Sequence, residues 1–134
     1  MPKHRWIIFV LVFGLFLGGC SLAEFIQGEN GSLVGTWKLK NNSAGLTKLT
    51  FFKDGAYEFD IDGDGTIDVN GRYGVLFNNQ FKLQDEGGEI TPDCVEAGIY
   101  KYKMTNRGLK FYLLGDQCMA RSNLFRETWV RVSQ

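Results

Sequence analysis

The chain is short of histidine, proline and cysteine, and has no net charge. Its one histidine, His4, stands beside an N-terminal apolar run. Once that run is removed no histidine is left, which excludes a Ser-His-Asp or Cys-His machine, a His-ligated haem and a His zinc site. Lys and Arg balance Asp and Glu at 15 each, so no basic excess points to nucleic acid. There is no C-x-x-C redox pair, no internal repeat, no low-complexity tract and no stretch of helical period. The 11 Phe, 5 Tyr and 17 Gly are plentiful, and together they favour strands joined by tight turns.

The 134 residues suffice for one domain with a modest core. The start is built differently. "MPKHRW" is basic, and the "IIFVLVFGLFLGG" that follows carries no charge. At about 13 residues the run is shorter than the roughly 20 that span a bilayer. Its anatomy is that of a secretory signal peptide, residues 1–19. It closes on Leu17-Gly18-Gly19-Cys20, which resembles the lipobox of bacterial lipoproteins. That resemblance implies cleavage before Cys20, acylation of its thiol and amine, and a location in the bacterial cell envelope, anchored to a membrane and facing the periplasm or exterior. Ser21 resembles the outer-membrane sorting signal of Gram-negative hosts. Residues 20–32 then read as a tether, small and polar, with a reach of roughly 40 Å at about 3.3 Å per residue. Cleavage removes Lys3 and Arg5 and leaves 13 basic against 15 acidic residues, a net charge of −2.

From residue 33 to 134 the pattern is one of short alternating runs and turns. "VGTWKLK", "LTKLTFFK", "AYEFDI", "IDVNGRYGVLF", "QFKLQD", "GIYKYKM", "LKFYLL" and "LFRETWVRV" make eight segments of period two. Asp54-Gly55, Asn78-Asn79 and "TNRGL" are turn signals between them. "GDQCMARSN" reads as the last loop. Eight short strands joined by hairpin-length turns predict an all-β, eight-stranded antiparallel up-and-down barrel, since closure removes exposed edges. Alternation places Tyr57, Phe59 and Ile61 inside and Asp60 and Asp62 outside; Tyr73, Val75 and Phe77 fall in step, as do Leu109, Phe111 and Leu113. Cys94 and Cys118 flank the "TNRGL" turn at equal distance. In an oxidising compartment they pair at the open end of that hairpin.

"GTW", Gly35 to Trp37, opens the first strand and looks like the Gly-x-Trp signature of the lipocalin superfamily. The cysteines around the "GIYKY…GLKF" hairpin, with the Arg that follows, are similar to small bacterial lipocalin-like proteins. The resemblance implies that Trp37 packs across one barrel end under an arginine, for which Arg121 and Arg126 are the candidates. It also implies a small apolar ligand in the barrel. The domain is short for that superfamily and shows no C-terminal helix pattern, which predicts an open or shallow cup.

Two stretches bear on binding. "DIDGDGTIDVNG" places Asp60, Asp62, Asp64 and Asp68 around a pair of glycines. It matches the first half of an EF-hand loop, but position twelve is Gly71 rather than Glu, and strands flank it instead of helices. Two readings stay open: a calcium-binding hairpin tip, or a turn made of its preferred residues. Phe51, Tyr57, Phe59, Tyr73, Phe81, Tyr100, Tyr102 and Phe111 form an aromatic inner face, either a ligand pocket or a filled core. Three functions compete: an anchored carrier of a small apolar ligand; a protein-interaction module, such as a periplasmic protease inhibitor or envelope factor; and an enzyme, disfavoured because no nucleophile–base pair exists.

Overall fold

Residues 32–41 and 46–132 are described by a computed structural model. The signal segment, Cys20 and all of the tether except Ser32 lie outside the described residues. Eight strands follow in order: β1 (Gly35–Leu39), β2 (Lys48–Phe51), β3 (Ala56–Asp60), β4 (Val69–Val75), β5 (Gln80–Gly88), β6 (Gly98–Thr105), β7 (Gly108–Gly115) and β8 (Thr128–Arg131). Each pairs antiparallel with the next, and β8 returns to β1 through Trp37↔Arg131 and Leu39↔Trp129. The sheet is a closed barrel, all-β but for one helix.

That helix is α1 (Met119–Arg126), between β7 and β8. By pattern its first half reads as loop and its second half as strand. Both are corrected: Leu124 and Phe125 belong to the helix, and β8 begins at Thr128. Cys118 is the N-cap, its sulfur accepting from Arg121 N at 3.4 Å.

The strand directions define two barrel ends. At the helical end lie α1, the turn at residues 61–68 and the β5–β6 connection. At the other, the entry end, the chain enters β1 and β8 finishes, beside the β2–β3, β4–β5 and β6–β7 turns. Cys94 and Cys118 form the expected disulfide at the helical end. It joins a short 3-10 turn (Pro92–Cys94) to the first residue of the helix segment. The closed loop spans 24 residues, so replacing both cysteines by serine should cost about 3 kcal/mol. Urea denaturation of the double variant checks this; an unchanged midpoint would show that packing alone holds α1.

Some faces differ from simple alternation. Asp60 is 4% exposed and Ile61 40% exposed, the reverse of the expectation. Val75, Leu113 and Phe77 also face out. Asn78 and Asn79 both sit at positive φ, 58° and 55°. Two successive left-handed residues, which asparagine tolerates well, make the β4–β5 turn; Phe77 stands at its start, past the end of β4.

Candidate functional site: the barrel interior and its helical plug

Of the eight aromatics expected inside, Phe51, Tyr57, Phe59, Phe81, Tyr100, Tyr102 and Phe111 are buried, and Tyr73 is partly so. Strand pleating points them at one another. Phe81 stacks on Tyr100 at 5.6 Å between centroids and stands 5.1 Å from Phe111. The sequence reading did not anticipate Phe125. It drops from α1 into the middle of this set, 4.5 Å from Phe111, 4.7 Å from Tyr100, and 5.8 and 5.9 Å from Phe59 and Phe81. Trp129 of β8 closes behind it at 6.4 Å. The helix therefore fills the barrel with its own aromatic ring. Among the described residues, a hollow of about 70 Å³ lies under α1, bordered by Phe59, Val69, Asp85, Arg121, Leu124 and the disulfide.

Polar groups crowd beside that hollow. Arg121 points inward from α1, and its side chain is 3% exposed. Its Nε and Nη2 donate to the two oxygens of Asp116, at 2.6 and 2.7 Å. Nη2 also donates to the Glu96 carbonyl at 2.8 Å. Nη1 stands 2.9 Å from Asp85, an ion pair outside hydrogen-bond alignment. The Tyr57 hydroxyl donates to Asp85, and the Tyr100 hydroxyl to Asp116. One cation thus meets two carboxylates, each held by a phenol.

The ionisation of these groups follows. Burial, then the hydrogen bond to Asp85, push the Tyr57 phenol far above its ordinary 10.0. Burial and Asp116 do the same to Tyr100. For Asp116 burial works toward neutrality, but the hydrogen bonds from Arg121 and Tyr100 win and hold its carboxyl below 3.8. Burial likewise opposes the charge on Arg121, and Asp116 and Asp85 outweigh it, raising its pKa. The phenols therefore stay neutral donors and Asp116 an anion at neutral pH. The cluster ties α1 into the barrel mouth.

The other end is closed by a different unit. Trp37 donates its indole N–H to the Leu33 carbonyl at 2.8 Å. The cation above its ring is Arg131, 4.2 Å from the centroid. This corrects the expectation that Arg121 or Arg126 would do this: Arg121 is committed to the opposite end, and Arg126 is exposed at the end of α1. Arg131 also donates to the Val34 and Ser32 carbonyls, at 2.8 and 2.9 Å. Gly35, at φ 131°, passes beneath that guanidinium, where a Cβ would collide with it.

At the aspartate turn, one carboxylate oxygen from each of Asp60, Asp62 and Asp64 falls within 4.8 Å of the others. Asp68 does not join them; it accepts from Ile61 N at 2.6 Å. Asp60 accepts from Gly63 N and Gly65 N at 2.7 and 3.1 Å, and both glycines have positive φ. Asp62 and Asp64 accept from the backbone two residues on. The carboxylates thus satisfy the turn's own donors, which explains why Asp60 is drawn inward.

Against known protein families, curated proteins and solved structures, the chain finds no match. Function is therefore argued from the site.

Proposed function

We propose that this protein is an envelope lipoprotein, tethered to a membrane through an acylated Cys20, whose lipocalin-like barrel serves as an interaction module acting through its outer surface. The observation that carries this reading is the filled interior. Ligand pockets for small molecules measure roughly 300–1,000 Å³, and the hollow under α1, beside Phe59 and Leu124, measures about 70 Å³. The absence of histidine after residue 4 supports a role other than catalysis. Met119 and Val95, 71% and 55% exposed at the helical end, offer apolar contacts to a protein partner.

The second reading, a carrier of a small apolar ligand, has one observation in its favour. The element occupying the barrel is a single helix of eight residues, and its departure would uncover aromatic walls and a polar mouth.

Native mass spectrometry of residues 21–134, exported to an oxidising compartment and purified gently with calcium, separates the two. A bare polypeptide mass, two hydrogens light, is expected. An adduct of a few hundred daltons that organic solvent removes would instead establish the carrier. A stoichiometric calcium adduct lost on chelation would assign a metal to Asp60, Asp62 and Asp64. The anchor is tested separately by labelling the full chain with a fatty acid, which Cys20→Ser should abolish.

A further inference from the structure

The barrel is electrically polarised along its length. Of the Asp and Glu in the described chain, all but Asp54 and Glu58 fall in the half nearer α1. The entry end is the reverse. From residue 97 to 115 the chain carries Lys101, Lys103, Arg107 and Lys110 and no acidic residue. These side chains are exposed, as is Lys82. Register groups them on the outer wall: Gln80 pairs with Lys101, Lys101 with Tyr112, Lys103 with Lys110 and Lys82 with Ile99. Lys53 stands at the β2–β3 turn of the same end. Among the described residues none of these cations makes an ion pair; the exposed acid of β5, Glu86, faces Arg72 instead, at 4.0 Å.

Apolar side chains project from the same end. Phe77, at the β4–β5 tip, is 84% exposed, and Val75 and Leu76 before it are 55% and 46% exposed. The tip is braced rather than loose: Leu76 N donates to Gln80 O at 2.6 Å, and Gln80 N returns a bond to the Phe77 carbonyl. Phe52, beside Lys53, and Tyr112, beside Lys101, are also exposed. A groove of about 390 Å³ opens between the β6–β7 turn and β8, with Asn106, Arg107 and Arg131 on its walls.

A protruding aromatic ring among unpaired lysines suits an interface with headgroups outside and hydrocarbon beneath. The cations meet lipid phosphates, and the ring enters the apolar layer. Chain entry matters too. Ser32, the first described residue, is held by Arg131 at this end, so an anchor at Cys20 pulls the lysine-bearing end toward lipid. The acidic end then faces away, where a like-charged surface would repel it.

We propose that the entry end is a membrane-docking surface for anionic phospholipid, with Phe77 inserted and Lys82, Lys101, Lys103 and Lys110 on the headgroups. The proposal deepens the anchored-module reading and rests on it, but its test does not need the acyl chains. Residues 21–134 contain every strand and the whole core, so they can be assayed as an unlipidated protein.

The experiment is co-sedimentation with vesicles of phosphatidylcholine alone or with about a third phosphatidylglycerol. Each Lys near an anionic surface is worth roughly fivefold in binding. The wild type should favour the anionic vesicles by at least about 100-fold, and salt should weaken it. Lys101→Gln/Lys103→Gln/Lys110→Gln should lose on the order of 100-fold on those vesicles. Phe77→Ser should lose several-fold on them as well. All these positions are exposed, so circular dichroism should confirm an intact barrel. Equal binding to both vesicle types, or a triple-Gln variant that binds like wild type, would overturn the proposal. Wild-type binding that persists only with an acidic protein present would overturn it too, and transfer this face to a protein partner. Loss of the fatty-acid label alone would sink the anchor and leave docking standing.

Discussion

Replacing Phe125 by alanine should destabilise the barrel by about 3–5 kcal/mol, the range for emptying a buried aromatic site. The ring meets five aromatic neighbours within 6.4 Å, and closed strands cannot collapse far into the gap. The space it vacates is walled by those aromatic rings. An empty apolar cavity of about 150 Å³ stays dry and accepts benzene. Urea unfolding should therefore show the loss, and millimolar benzene should restore part of it. A loss below about 1 kcal/mol would mean that the ring is not the core's keystone, and the filled-barrel reading would fall with it.

Arg121→Met should cost as much, for an electrostatic reason. Removing one partner of a buried ion pair leaves uncompensated charge, at about 3–5 kcal/mol. Here two carboxylates, Asp85 and Asp116, would face each other with no cation between them. The pH dependence carries a sign. In the wild type Asp116 is held below 3.8, so its stabilising effect is present above that value and vanishes as pH falls through the folded pKa. In the variant, burial and mutual repulsion raise the carboxyl pKa, so protonation relieves the strain. The gap between variant and wild type should be widest at pH 7 and narrow by pH 5. Urea midpoints at both values decide it; a gap that is constant or grows on acidification would show that Arg121 acts through packing alone.

Much of the architecture was legible because period-two alternation is a local signal. Each of the eight strands overlaps a run picked out by pattern, although β5 continues through Glu86–Gly88, which reads as loop; the disulfide follows from spacing about the Asn106-Arg107 turn. The misses have non-local causes. The helix Met119–Arg126 is too short to show a period, and the faces of "LFRETWVRV" are less clearly sorted than those of the other runs; what makes it helical is the burial of Phe125 and Arg121, decided by strands far away in sequence. The arginine over Trp37 is fixed by barrel closure, which puts Arg131 opposite Trp37; the resemblance offers only Arg121 and Arg126. Asp60 was assigned outward by alternation, and backbone donors of the glycine turn turned it in. Phe77 is expected inward by alternation, but it lies past the end of β4 at the β4–β5 tip, where Val75 before it already faces out. The inward-pointing Arg121 with Asp85 and Asp116 carried no sequence signal beyond three charged residues scattered over the chain.

The β1–β8 seam has a consequence for the order of assembly. Seven of the eight strand pairings join neighbours in sequence, but the eighth joins the first strand to the last. That pairing closes the longest loop in the domain and is the slowest to pay for its entropy. A chain emerging from its N-terminus makes β1 first and must keep it waiting for β8. Until then β1 is an open edge, five residues long and bordered by Lys38 and Lys40, short and charged enough to resist pairing with a neighbour. The domain becomes a ring only when its final strand arrives, so a truncation that removes Thr128–Arg131 would leave a curled sheet with two free edges rather than a slightly smaller barrel.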